Sequence, residues 1–159
     1  MIRAFQRLRR DQRGASIVEI ALLLPVMSTL IIGVADITRA YSQKLILEQA
    51  AYRAIEKVQQ YQATESTYDT LKNEVVAAAA SAGFTDVTAS NVAIDYWLEC
   101  GGVRQSNYDS TCASLPLTAR YITVDVTHTF TPMFASRRWP GSNSDGTYTL
   151  HGRAGLRTQ

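Results

Sequence analysis

The pattern of hydrophobic and polar positions predicts one unusually long helix at the start of the chain. A nearly unbroken apolar run extends from Ala15 to Ala35. About 20 apolar residues in a helix cross the roughly 30 Å hydrocarbon core of a membrane. From Asp36 to Gln60 strong helix formers continue without proline or glycine. We therefore expect a helix of roughly 70 Å, whose first half faces lipid and whose second half packs against a small domain.

Large side chains recur every three or four positions in the second half of this helix, which places them on one face. The face comprises Ile37, Tyr41, Leu45, Tyr52, Ile55 and Val58, with Glu48 as a polar exception.

The remaining pattern predicts a shorter helix followed by strands. Apolar and small residues at helical spacing predict a helix from Thr67 to Ala82, which Gly83 ends in a left-handed conformation. Period-two alternation then predicts strands near residues 92–97, 122–130 and 147–156. A long helix, a short helix and an antiparallel sheet together predict an α+β fold.

Charge patterning gives this helix an expected orientation in a membrane. Five arginines precede the apolar run, namely Arg3, Arg7, Arg9, Arg10 and Arg13. Asp11 is the one acidic residue among them. The positive-inside rule therefore places the N-terminus in the cytoplasm and the remainder across the membrane. A cleaved secretory signal begins similarly, but its apolar region is shorter and ends in an A-x-A-like site, so an anchor fits better. With net charge only +2 and no basic face in the domain, no nucleic-acid partner is expected.

The two cysteines, Cys100 and Cys112, are expected to form one disulfide if the domain lies outside the cytoplasm. Closing so short a loop stabilises a fold by roughly 3 kcal/mol. Free or metal-bound thiols are the alternative, and a metal is disfavoured because neither a CxxC pair nor a histidine cluster is present. We expect no metal, no cofactor and no catalytic residue, since the sequence contains no nucleophile elbow or phosphate-binding loop. His128 is expected to pack in the core rather than to act in catalysis, and the chain is not expected to be an enzyme.

Glu19, Pro25 and a few small hydroxyl residues interrupt the apolar run. Glu19 is the one ionisable group between Arg13 and Asp36. A carboxylate at the centre of a membrane costs about 2.5–3.5 kcal/mol and usually has a function, although near the interface it could reach water cheaply. Pro25 is expected to kink the helix, but prolines are also tolerated in transmembrane helices without a role.

The segment from Arg13 to Pro25 combines a basic leader, Gly14, four small or apolar residues and Glu19 at the start of a hydrophobic helix. It resembles the opening of TadE-like proteins, the minor pilin-like or pseudopilin components of tight-adherence (Tad/Flp-type) type IV pilus systems. Residues 33–41, the alanine-rich helix after them and a terminal β region near residues 121–134 also fit this family. Ile20 stands where major pilins often carry tyrosine, so the chain is more similar to a minor subunit.

The resemblance implies a processing site and an assembly residue. A prepilin peptidase would cut between Gly14 and Ala15 on the cytoplasmic side, which makes Glu19 the fifth residue of the mature chain. In pilins this glutamate is thought to pair with the N-terminal amine of a neighbouring subunit. The implied partners are other pilin-like subunits through the N-terminal helix, the prepilin peptidase, the inner-membrane assembly platform and membrane lipid.

The resemblance also implies a domain organisation and a function. Residues 1–14 would be a removed cytoplasmic leader, 15–36 a transmembrane helix, 37–62 its soluble continuation, and 63–159 a periplasmic or extracellular α+β domain. The protein would be a single-pass inner-membrane pseudopilin that initiates, primes or caps a Tad pilus used for surface adherence, and whether it enters the filament stays open. The alternative is an uncleaved, signal-anchored binding module of the cell envelope.

Overall fold

The fold is taken from a computed structural model, which describes residues 15–60, 65–113, 118–134 and 140–158. The chain contacts divide it into two compact units, which are described separately below. The N-terminal unit comprises residues 1–39 and the C-terminal unit comprises residues 40–159. Residues 1–14, predicted to form a leader, lie outside the described residues.

The elements confirm the predicted α+β fold. Helix α1 covers Ala15–Gln60 and helix α2 covers Glu65–Ser81, and a short 3-10 turn, Ala89–Asn91, precedes the sheet. Four strands follow: β1 (Val92–Cys100), β2 (Val103–Arg104), β3 (Thr118–Phe130) and β4 (Tyr148–Arg157). The short strand β2, which forms a hairpin with β1, was not predicted, because two residues give no measurable alternation.

The strands form one antiparallel sheet in the order β2-β1-β3-β4. The register places Ile94 of β1 opposite Val124 of β3, and Val124 opposite Ala154 of β4. Because side chains alternate between the two faces of a strand, the residues in this row point to the same side of the sheet. That side is the buried one.

In the N-terminal unit, α1 exposes a long apolar surface. Every described side chain from Ser16 to Ile31 is exposed, including Ile17 at 70% and Leu22 at 70%. Within the described residues, α1 is the helix that is long and apolar enough to cross a membrane, by length and composition. At the end of the apolar run, Asp36 and Arg39 form an ion pair of 3.5 Å.

In the C-terminal unit, the second half of α1 and the helix α2 cover one face of the sheet. A large cluster joins buried residues of α1, α2 and the three long strands, among them Leu47, Ala51, Val75, Val92, Val126 and Ala154. A second cluster joins Val58, Leu71 and Ile122. An ion pair between Lys57 and Glu74 links the two helices at the surface. Ile94 and Leu156 pack against both clusters, so the sheet and α1 form one continuous core.

The face of α1 that packs overlaps only in part with the face that the large side chains predicted. Ile55 and Val58 are buried as predicted, whereas Tyr41, Leu45 and Tyr52 are exposed, at 61%, 39% and 55%. The other buried residues in this half of α1 are Leu47, Ala50, Ala51 and Ala54. Alanines bury little area each, but they let a helix approach a sheet closely, and this close approach outweighs the size of the side chains on the other face.

The close approach of α1 to the sheet is centred on Gly152 of β4. A methyl group at this position would come within 3.0 Å of the backbone of Leu47 and of the backbone nitrogen of Glu48. Only a residue without a side chain leaves room for the helix backbone here. Gly152 therefore sets the distance between α1 and the sheet.

Candidate functional site

The predicted processing site adjoins the first turn of α1. Ala15 is the first residue of the helix, whereas Gly14 lies outside the described residues. Cleavage at the Gly14–Ala15 bond would therefore leave a mature chain that begins with the helix itself. The processing site stays a prediction, because it depends on a residue outside the described part of the chain.

Glu19 lies one helical turn after Ala15, on a segment whose side chains are all exposed. Its neighbours Val18 and Ile20 are 59% and 58% exposed. Among the described residues, none forms an ion pair with Glu19. In lipid such a carboxylate needs a partner, so an exposed position on an apolar helix leaves it available to a group from another molecule.

Pro25 lies inside α1, and the helix continues through it. Two hydroxyl side chains bond to carbonyl groups of this turn. Ser28 Oγ donates to the carbonyl of Leu24 at 2.8 Å, and Thr29 Oγ1 donates to that of Pro25 at 2.7 Å. These bonds satisfy both hydroxyl donors inside an apolar segment, as a helix in lipid requires. The kink at Pro25 stays a prediction.

The comparison with family models concerns this part of the chain. A family model described as TadE-like protein matches residues 14–55. The N-terminal segment is TadE-like. No curated protein and no solved structure matches the chain. The match contains Gly14, Glu19 and Pro25, and it extends into the half of α1 that packs on the sheet, whereas the sheet lies outside it.

The TadE-like match and the exposed apolar surface of α1 indicate the same general class of protein. A chain with one exposed apolar helix at its N-terminus is consistent with a membrane-anchored pilin-like protein related to Tad pilus systems. The compartment and the orientation in the membrane, predicted from the leader arginines, belong to the proposal below.

In the C-terminal unit the two cysteines form the predicted disulfide. Cys100, at the end of β1, and Cys112 are joined with a Cα–Cα distance of 5.5 Å. Among the described residues, no group of histidine, cysteine and carboxylate side chains could hold a metal ion. The loop closed by the disulfide includes the hairpin strand β2, so the bond ties the chain that follows this hairpin to the end of β1.

The side chain of Arg120 also holds this loop. Its guanidinium donates to the carbonyls of Tyr108 and Ser110, at 3.3 Å each, and lies 5.5 Å from the centre of the Tyr108 ring. Tyr108 in turn packs edge-on against Tyr96, with ring centres 5.4 Å apart. The loop is thus attached to the sheet by a covalent bond, two hydrogen bonds and an aromatic contact.

Replacing both Cys100 and Cys112 by serine is expected to lower the free energy of unfolding of the C-terminal unit by about 3 kcal/mol. The reason is that the unfolded chain regains the freedom which the closed loop had removed. Urea unfolding of the full chain in detergent, followed by near-UV circular dichroism, measures the change. A reductant should shift the unmodified protein in the same way and leave the variant unchanged. Equal midpoints for all samples would contradict the prediction.

The sheet face opposite the helices carries polar and aromatic side chains that the sequence analysis did not identify as a group. We call it the outer sheet face. At one end, Trp97 stacks on Tyr121 with ring centres 5.2 Å apart. The guanidinium of Arg104 lies 4.8 Å from the centre of the Trp97 ring and donates to both carboxylate oxygens of Asp95, at 2.7 and 3.1 Å. Strand alternation places these residues on one side, but the pairing of β1 with β3 and β2 was needed to bring them together.

The other end of the outer sheet face is organised around Asp125. Its carboxylate accepts a hydrogen bond of 2.6 Å from Arg153 Nε and lies 3.0 Å from His151 Nδ1. An open depression of about 530 Å³ lies between the two ends, where Thr123 has a small side chain and Gly155 has none. The carboxylates of Asp95 and Asp125 line this depression, but each is already paired with an arginine. His128 lies on the opposite face, where it packs edge-on against Phe84 and contacts Asp86 at 3.2 Å.

Proposed function

We propose that this chain is a minor pilin-like subunit that takes part in the assembly of a Tad-type type IV pilus, as an initiating, priming or capping component and not as an enzyme. The observation that carries the proposal is Glu19. It is an exposed carboxylate one turn from the start of an exposed apolar helix, inside a segment that matches the TadE-like family.

The first step of the proposed function is insertion and processing at the inner membrane. The arginine-rich leader would stay in the cytoplasm, α1 would span the membrane, and the C-terminal unit would be periplasmic or extracellular. A disulfide-bonded unit is stable in such an oxidising compartment and unusual in the cytoplasm, which supports this orientation. A prepilin peptidase would then remove Met1 to Gly14 and expose an amine on Ala15.

The second step is the contact between subunits. After cleavage, the amine of Ala15 on one subunit and the carboxylate of Glu19 on its neighbour would form an ion pair in a region of low dielectric. Neither charge is stable there alone, so the pair would couple the neutralisation of both charges to assembly and would fix the axial offset between the helices. The exposed apolar side chains around Glu19 would supply the remaining contact area.

The test of the proposed function is the intact mass of the protein, purified from membranes of cells with and without the prepilin peptidase. We expect a chain that begins at Ala15 in the first strain and a chain that keeps its leader in the second. The same product in both strains would overturn the proposal and favour an uncleaved, signal-anchored binding module.

Matched glycine variants make the test specific. Replacing Gly14 with leucine should block cleavage. Replacing Gly33 with alanine should not, because an added methyl group there meets no other atom within 4 Å. If both variants were cleaved as efficiently as the unmodified chain, the cleavage site would have to lie elsewhere.

A further inference from the structure

Two adjacent apolar side chains are exposed where β3 ends. Met133 is 65% exposed and Phe134 is 53% exposed, and the pair comes immediately after Pro132 in the chain. Outside α1, the other described large apolar side chain with comparable exposure is Val103 in the β1–β2 hairpin, at 64%. We call Met133 and Phe134 the apolar tip. Exposed apolar side chains that adjoin one another mark contact surfaces more often than single ones do.

The packing of α1 on the sheet shows at which end of the C-terminal unit this tip lies. Leu47 of α1 lies against Gly152, which pairs with Val126 of β3. Further along α1, Val58 shares a cluster with Ile122. Residues later in α1 therefore lie beside residues earlier in β3. The two elements are antiparallel, so the end of β3 points toward the end at which α1 enters the unit.

The lengths of α1 and β3 place the apolar tip at the same level as the point where α1 enters the C-terminal unit. From Leu47 back to Ala40, the first residue of the unit, α1 covers about 10 Å. From Val126 to Phe130, the end of β3, the strand covers about 13 Å in the same direction. The tip follows Phe130 by only a few residues. It therefore lies at the end of the C-terminal unit where α1 enters.

The end of the C-terminal unit at which α1 enters is close in the chain to the apolar run. Ala40 follows this run, which ends at Ala35, by only five residues. If the run spans a membrane, only these few residues separate Ala40 from the lipid headgroups. The hairpin with Val103 is at the opposite end, since β3 extends about 40 Å from Thr118 to Phe130.

We propose that Met133 and Phe134 insert into the headgroup and acyl boundary of the membrane that anchors the chain. A flexible thioether and an aromatic ring enter this boundary readily, and the preceding Pro132 brings no backbone N–H that would need a partner there. The tip is a second, shallow contact with lipid that holds the C-terminal unit against the bilayer until the subunit is extracted. This inference rests on the anchoring helix of the proposed function, but not on cleavage or on the pilus.

The test uses the full chain, labelled throughout with 3-fluorophenylalanine, in nanodiscs of phosphatidylethanolamine and phosphatidylglycerol. A share of the lipid carries a spin label near the headgroup, which relaxes fluorine nuclei close to it. The variant Phe134→Leu identifies the Phe134 signal by its loss. The matched control is Val103→Phe, which places an exposed phenylalanine at the far end of the unit.

We expect the spin-labelled lipid to relax the Phe134 signal about tenfold more than the signal of the phenylalanine introduced at Val103, because the tip would lie within about 5–10 Å of the boundary. Equal relaxation of the two signals would overturn the proposal while leaving the anchor intact. Failure of the chain to co-elute with the discs would overturn both the anchor and the tip contact. A Phe134 response that requires two chains per disc would assign the tip to a second copy, which also overturns the lipid contact.

Discussion

Replacing Gly152 with alanine is expected to lower the free energy of unfolding of the C-terminal unit by about 4 kcal/mol, above the usual range for one added methyl group. The added atom would overlap backbone atoms of Leu47 and Glu48, which cannot rotate away. The helix and β4 would have to separate, and this separation would open space around the buried side chains of the main cluster. Urea unfolding followed by near-UV circular dichroism measures the loss.

Gly155 offers a matched control on the same strand. An alanine there would meet the methyl group of Thr123 at 3.1 Å, on the outer sheet face, where a side chain can adjust. We expect Gly155→Ala to change the free energy of unfolding by about 1 kcal/mol or less. Equal effects of the two substitutions would show that α1 does not approach β4 as closely as the structure has it.

Replacing Glu19 with alanine is expected to abolish the contribution of this subunit to pilus assembly while leaving its synthesis and membrane insertion unchanged. Without the carboxylate, the amine of a neighbouring Ala15 would have no partner in an apolar environment. The readout is the number of surface pili per cell, together with the intact mass of the subunit as a check that cleavage still occurs. Normal numbers of pili in the variant would contradict the pairing role.

A variant with Glu19 and Ile20 exchanged is the sharpest control. It keeps the composition, the net charge and the hydropathy of the helix, and moves the carboxylate by one position around the helix axis. If register decides assembly, this exchange should be as defective as Glu19→Ala. If any acidic group near the start of the helix is enough, the exchange should restore assembly, and the proposal of a fixed offset between subunits would fail.

The sequence predicts the helices and the long strands of this fold well, for identifiable reasons. The bounds of α1 are those predicted, because the apolar run from Ala15 to Ala35 leads directly into strong helix formers that continue to Gln60. The predicted left-handed stop after α2 is also confirmed, since Gly83 has a φ angle of 100°. The clean alternation of β3 located that strand to within a few residues. In each of these cases the signal is local in the chain.

The features that the sequence did not predict depend on contacts between distant segments. The buried face of α1 is rich in alanine, and these small side chains mark a packing face less clearly than the large tyrosine side chains that are exposed. The side chains that pair with Asp125 belong to β4, which is distant in the chain. The role of Gly152 follows only from its contact with Leu47 of α1. The candidate assembly site, in contrast, is contained in a short stretch of sequence and could be identified from it.

The position of β4 affects how the protein behaves before it meets a partner. In the described sheet β4 is an outermost strand of ten residues, and such a strand can pair with a strand of another chain and begin aggregation. Along the outer sheet face, β4 carries Arg153 and Arg157, and pairing of two copies through this edge would bring these arginines close to those of the other copy. The arginines of β4 therefore disfavour pairing between C-terminal units that are held at high local concentration in the plane of a membrane.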